Sequence, residues 1–264
     1  MLRFVIKYNQ DCFNRWNRGD FVMDIENYTY VASCAFTREE PELSAKIQDY
    51  LKQRFDMPII RCCVRNYKVE EFTTDMTEWM QPRWRATPHY KEFSEDSTMV
   101  YVCHNCAAIF QETMKEVKRI SLWELILNDE EFKFPDYSHE KMTLQDCWRS
   151  YDNRSEQDAV RGLLKKMNVD IVEQDDNYER TQFCGVSLHA PAPKRNLKLA
   201  PKRFVENADG KFIPSTSEEQ ERLMREHCQN ITTDKVVAYC HYCVKGLKIG
   251  GKQAKHLASL LFDN

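Results

Sequence analysis

The chain has 264 residues and a formal net charge of −3, from 38 lysines and arginines against 41 aspartates and glutamates. That length suffices for one large or two ordinary domains with a buried core, and the near-neutral balance gives no electrostatic case for nucleic acid or an acidic membrane surface. It holds 7 glycines where average usage would give about 18, and neither G-x-G-x-x-G nor a Walker A sequence occurs, which argues against a nucleotide or flavin held by this chain.

Residues 1–30 read as an N-terminal extension, aromatic and charged, with Cys12 inside it. The opening MLRFVIKYNQDCFNRWNRGD lacks the apolar stretch of a signal peptide, and no later run approaches the roughly 20 apolar residues of a membrane span, so a soluble, cytoplasmic protein is expected. From Tyr28 the sequence turns periodic. YTYVASC (28–34) predicts a strand ending at a cysteine. ELSAKIQDYLKQRF, opened by Thr37 and Pro41, places Leu43, Ile47, Leu51 and Phe55 at four-residue spacing and predicts a helix. MPIIRCC (57–63) is a short buried strand, and a Trp- and Pro-containing stretch follows (76–92). STMVYVCHNC is the next strand, AAIFQETMKEV a helix, and RISLWELIL a strand or short helix.

The same order then recurs. KMTLQDC (141–147) predicts a strand, EQDAVRGLLKKM (156–167) an amphipathic helix and VDIVE (169–173) a strand. QFCGVS follows, then a Pro- and charge-rich segment (186–232) expected to be a long loop with a helix near 217–228. DKVVAYCHYC (234–243) is the last cysteine-bearing strand, and KQAKHLASLLFDN matches EVKRISLWELILND in its spacing after the preceding C-x-x-C. VYVCHNC against VAYCHYC makes the chain a duplication. Strands alternating with helices predict an α/β fold of two related halves, 31–137 and 138–264, each a small, mainly parallel sheet with flanking helices and cysteines at the strand ends.

Nine of the 11 cysteines fall into that repeat: Cys34, Cys62, Cys63, Cys103 and Cys106 in the first copy, and Cys147, Cys184, Cys240 and Cys243 in the second. Disulfides rarely persist in the cytosol, so thiolates at these spacings point to metal or redox work. Zinc held by the two C-x-x-C pairs would leave Cys34, Cys62, Cys63, Cys147 and Cys184 without a role, and a vicinal Cys-Cys suits a multi-iron cluster better than one tetrahedral ion. Zinc in a structural or interaction module, and thiol–disulfide exchange, remain alternatives. His104 and His241, inside the two C-H-x-C motifs, read as hydrogen-bonding supports for the cysteines rather than ligands. Gly185 reads as a tight turn beside Cys184. Cys12 and Cys228 read as unliganded buried thiols. Trp79, Trp84 and Trp148 are core residues or shields for a cluster. Lys194, Arg195, Lys198, Lys202, Arg203, Lys245, Lys248, Lys252 and Lys255 form a basic region, either a solvated face or a docking patch for an acidic electron donor.

A long gap, Cys-Cys, a second gap and Cys-x-x-Cys, laid down twice over about residues 28–264, resembles the cysteine-rich CCG domains of the heterodisulfide reductase family. The resemblance implies an oxidoreductase subunit carrying [4Fe-4S] clusters. Cys34, Cys62, Cys63, Cys103 and Cys106 would hold a noncubane cluster, with chemistry near Cys62 and Cys63 that reduces a disulfide or thiol-type substrate. Cys147, Cys184, Cys240 and Cys243 would hold the second cluster. It further implies a flavoprotein or ferredoxin-type electron donor in a hetero-oligomer, or a purely electron-transferring role in a flavin-dependent complex. Phe183 stands where the family has the first cysteine of its second pair, so the second set has four thiols, as a cubane cluster requires. The gap from Cys184 to Cys240 is 55 residues against 39 from Cys63 to Cys103.

Overall fold

A computed structural model describes residues 26–65, 67 and 70–263; Cys12 and most of the expected N-terminal extension lie outside the described residues. The first half runs β1 (Tyr28–Val31), α1 (Cys34–Glu39), α2 (Pro41–Phe55), β2 (Ile59–Ile60), α3 (Glu70–Thr73), α4 (Met80–Ala86), β3 (Thr98–Tyr101), α5 (His104–Thr113), β4 (Lys118–Ser121) and α6 (Leu122–Leu127). The second runs β5 (Glu140–Gln145), α7 (Arg154–Lys166), β6 (Val169–Val172), α8 (Lys194–Leu199), α9 (Ser217–Gln229), β7 (Lys235–Ala238), α10 (His241–Ile249), β8 (Gln253–His256) and α11 (Leu257–Phe262). Each half forms a four-stranded, all-parallel sheet, in the orders β2-β1-β3-β4 and β6-β5-β7-β8. The two orders are the same order, as the repeated sequence requires. Tyr30 pairs with Val100 in one sheet and Thr143 with Val236 in the other.

Strands β1, β3 and β7 are largely buried on both faces, the usual condition inside a parallel sheet, while the edge strands β4 and β8 keep exposed polar residues. Tyr30, Ala32, Val100 and Val102 point into the same core as Met142, Leu144, Val237 and Tyr239, so the inner faces of both sheets share one interior. Between them lie the apolar sides of α2, α6, α7 and α11, with Leu51, Trp123, Leu163 and Leu260 fully buried. The alternate strand residues point outward: Val31, Met99 and Tyr101 into a core with Phe110 and Phe204, and Val236 and Ala238 into one with Trp148 and Leu247.

Several boundaries differ from the sequence reading, each for a local reason. The first strand stops at Val31, because Ser33 adopts a left-handed φ of 65° and caps α1, accepting from Phe36 N; Cys34 therefore opens a helix. The expected helix is present as α2, and a further short helix, α1, precedes it, the two separated at Glu40 before Pro41. RISLWELIL is both strand and helix: β4 ends at Ser121, which forms a capping box with Glu124 and starts α6. His256 plays the matching part after β8, accepting from Ala258 N at 3.2 Å. The stretch 76–92 contains α4, and 186–232 contains α8 and a wide turn at Lys202–Glu206 besides the expected helix. That long segment leaves its own half: α8 packs on α5, and Glu112 accepts from Lys202 N at 2.8 Å and Arg203 N at 2.9 Å. No helix among the described residues is long and apolar enough to cross a membrane.

Candidate metal centre

Every cysteine of the repeat lies just beyond the carboxyl end of a parallel strand or in the first turn of the following helix, apart from Cys184, which follows β6 by a longer path. All nine are buried. In the second set, β5 delivers Cys147, β7 delivers Cys240, and the first turn of α10 delivers Cys243. The sulfurs of Cys147, Cys184, Cys240 and Cys243 all lie within 4.8 Å of one another, the one such group of potential metal donors among the described residues. This four-cysteine site can hold a metal.

Cys184 reaches that group because Gly185 lets its segment run against α10. Gly185 has φ +52°, and a Cβ there would sit 1.9 Å from the Tyr242 carbonyl oxygen. Phe183 fixes the same segment from the other side, accepting from Trp148 N at 2.8 Å through its carbonyl while its ring stacks on His227 at 3.8 Å. Cys147 and Cys184 sulfurs are 3.4 Å apart, and Ser187 Oγ donates to Cys184 Sγ at 3.2 Å. Hydrogen bonds from Cys147, Cys184 and Cys243, with another from His104, hold the Cys240 thiol well below its ordinary value, while burial pushes Cys147 and Cys243 well above theirs. The thiolate form is thus favoured most at Cys240, and the Cys184 thiol is lowered too, as suits a set of metal donors.

Two arginines, Arg149 buried and Arg195 half-buried, neither singled out as a cysteine partner from sequence, face the two sets. Arg149 is enclosed by Phe204, Phe212 and Tyr242; burial opposes its charge, but Cys184, Cys240 and Cys147 raise its pKa above the ordinary guanidinium value. Arg195, carried across by the long segment, does the same for the first set: burial opposes its charge and Cys63, Cys106 and Cys34 favour it, while its guanidinium stacks on Tyr67 at 4.4 Å. In that set Cys106 hydrogen-bonds to Cys103 and Cys63, Cys63 to Cys62, and Cys34 to Arg195. Val64 N donates to Cys62 Sγ at 3.4 Å. Burial pushes the Cys34 thiol up. The Cys106 thiol and burial push Cys103 up.

His104 joins the two sets. It follows Cys103 in the chain, hydrogen-bonds Cys240 of the other set, and packs edge-on against Tyr239 at 5.5 Å. Its Nε2 lies 3.2 Å from Oε1 of the fully buried Glu156. Burial opposes protonation of His104, but Glu156 and Cys240 outweigh it and raise its pKa well above the usual value. His241 is not the mirror image. Burial lowers it to about 4, it packs on Tyr242 at 4.1 Å, and its Nε2 has no partner among the described residues. Neither histidine belongs to the four-donor group, in keeping with a supporting role. Cys228 is buried in α9 with its sulfur 3.8 Å from the Leu247 carbonyl, outside that group. Trp148 packs among Cys147 and Cys184, Trp84 lies in the shared core, and Trp79 is 49% exposed and shields nothing. Of the basic residues, Arg203 is buried and Lys252 donates to the Ile231 and Thr233 carbonyls; Lys194, Lys198, Lys202, Lys245, Lys248 and Lys255 are exposed.

His256 supplies a pH test of this interior. Burial and its neighbour His241 lower it to about 3. The unfolded chain takes up this proton as pH falls through about 6.5, whereas the folded chain refuses it until about 3, so its contribution to stability is lost on acidification. His104, raised in the folded chain, has the opposite sign: its contribution is complete below about 6.5 and fades as pH rises through its folded value. Between pH 7.5 and 5, urea unfolding of the wild type should lose about 2 kcal/mol more than that of His256→Asn, which keeps a helix-capping side chain. Equal losses would show that His256 takes up its proton at the ordinary pH in the fold.

No family model matches the chain, and no curated protein or solved structure matches it.

Proposed function

We propose that this chain is a metal–thiolate electron carrier similar to the CCG-domain proteins of the heterodisulfide reductase family, with one tetrahedral zinc ion in the second cysteine set and an iron–sulfur cluster in the first. The observation that carries the reading is the closeness of Cys147, Cys184, Cys240 and Cys243, all within 4.8 Å of one another. A Zn–S bond of about 2.3 Å sets tetrahedral thiolates about 3.8 Å apart, inside that limit. A four-iron cube would interpose a cage of irons and sulfides and push the thiolates farther apart, so the spacing favours zinc over the cubane cluster expected from the thiol count. The first set, with a vicinal pair, five thiols and no comparable four-donor group, fits a larger, multi-iron centre.

A cluster there would supply one-electron chemistry. The chain's own residues would set its surroundings. Arg195 offsets the negative charge of the thiolates, and Phe204 and Phe110 keep the outer core dry. His104 connects the cluster set to the zinc set through Cys240. Electron transfer is favoured over direct reduction of a bound disulfide because a cavity lined by both Cys103 and Cys240 measures about 10 Å³, too small for a substrate. With no nucleotide-binding motif in the chain, the donor would be a flavoprotein or ferredoxin-type subunit of a hetero-oligomer, met by the exposed lysines.

Metal, acid-labile sulfide and EPR analysis of anaerobically purified protein tests this. The expected result is one zinc and about four irons with sulfide. Cys62→Ser combined with Cys63→Ser should remove iron and leave zinc. Iron in both sets would overturn the zinc assignment, and protein with neither iron nor sulfide would overturn the redox reading.

A further inference from the structure

A second site lies between the halves, where α5, the turn after β5 and the Lys202–Glu206 turn enclose a cavity of about 120 Å³. Arg119, Arg149 and Arg203 all line it. Its two carboxylates are already engaged. Glu156 meets His104 through Oε1 and accepts from Asn153 at 3.1 Å through Oε2. Both Asp152 oxygens accept from a single nitrogen, Nη2 of Arg203, at 2.5 Å.

The donors are not satisfied in the same way. Arg203 Nη1 and Arg149 Nε find no acceptor among the described residues, although the Arg203 side chain is 6% exposed and Arg149 5%. Buried guanidinium nitrogens without acceptors are costly, and the cost is relieved by an anion. Arg119 is exposed at the mouth of the cavity and donates to the Ala107 carbonyl at 3.3 Å; desolvation, with Arg203 adding to it, lowers its pKa although Tyr101, Asp152 and Glu124 act the other way. Helix α7 also begins at this wall, and no side chain caps its amino-terminal amides.

We propose that this cavity binds a small tetrahedral oxyanion, of the phosphate or sulfate class. At about 30 Å³ per liquid water, the volume corresponds to about four waters, room for one such ion and little more. Arg119, Arg149 and Arg203 would surround the anion, with Asn153 beside them. The site is independent of which metal the cysteines hold.

Isothermal titration of the purified, metal-loaded protein with inorganic phosphate, sulfate and acetate tests it. Phosphate or sulfate should saturate one site. Acetate should bind at least about tenfold more weakly, lacking the charge and shape for several guanidinium contacts. Arg119→Gln and Arg203→Gln should each weaken binding about tenfold or more, and Asp152→Asn should tighten it by removing the competing charge. Should Arg203→Gln fail to fold by circular dichroism, the Arg119 and Asp152 variants decide. Absence of saturable binding, binding unaffected by Arg119→Gln, weakening by Asp152→Asn, or acetate binding as tightly as phosphate would each overturn the proposal.

Discussion

Cys240→Ser should release the metal from the second set and lower the chain's unfolding free energy by roughly 4 kcal/mol, the linkage expected when free metal exceeds its dissociation constant about 1,000-fold. For a chain of this size that corresponds to a fall in Tm of about 10 °C. The effect is large because Cys240 accepts from three other thiols and from His104, and because it lies between β7 and the start of α10, at the cap of that helix. Without metal, the serine variant leaves buried thiols with poor partners and Arg149 with fewer anionic neighbours. Cys228→Ser is the control, since that sulfur lies outside the four-donor group. Calorimetry with metal analysis, before and after a chelator, should show wild type falling to the Cys240→Ser value while the variant is indifferent to chelation. A Tm unchanged by both mutation and chelator would mean that the four thiols hold no structural ion.

Asp146→Ala should be nearly as damaging, at about 3–5 kcal/mol, the range for breaking a buried ion pair by removing one partner. The Asp146 side chain is wholly buried. It accepts from Arg161 at 2.8 and 3.3 Å, from the Tyr239 hydroxyl at 2.8 Å and from Tyr178 N at 2.8 Å. Asp146 immediately precedes Cys147 and Tyr239 immediately precedes Cys240, so one carboxylate ties together the two strands that deliver these ligands. Removing it should therefore also weaken metal binding at the second set by about 10–100-fold, as loss of a ligand-orienting partner does. Asp146→Asn, which keeps the shape and part of the hydrogen bonding, should cost less in both respects. Urea unfolding and chelator competition measure the two effects. A stability loss below about 1 kcal/mol in the alanine variant would contradict the role assigned to this network.

The halves and their parallel sheets were legible because YTYV, TMVY and KVVA are short apolar runs separated by helical periodicity, and because VYVCHNC and VAYCHYC betray the duplication. The cysteines were legible for the same reason: strand ends are fixed by the pattern, so residues beyond them converge. What the sequence concealed was long-range charge. Glu156 sits in EQDAVRGLLKKM as an ordinary polar residue of an amphipathic helix, and nothing local marks it as the buried partner of His104. Arg195 looked like part of a solvated basic stretch, because the crossing of residues 194–206 onto the other half is decided by packing against α5 rather than by local sequence. The relative tightness of the two sets was also hidden. The first copy has more thiols, yet the four of the second approach one another most closely, because Gly185 permits a backbone contact that no count of cysteines reveals.

That crossing segment has a consequence for the order in which the protein is made. The fifth thiol of the first set is Cys106, while the arginine that faces the set is Arg195, so 88 residues separate them in the chain. At a synthesis rate of about 5–20 residues per second, the nascent set waits roughly 4–18 seconds before Arg195 is made. During that interval its five thiols lack the guanidinium that faces them in the folded chain. The surroundings of the first set are therefore complete only when the second half has been translated.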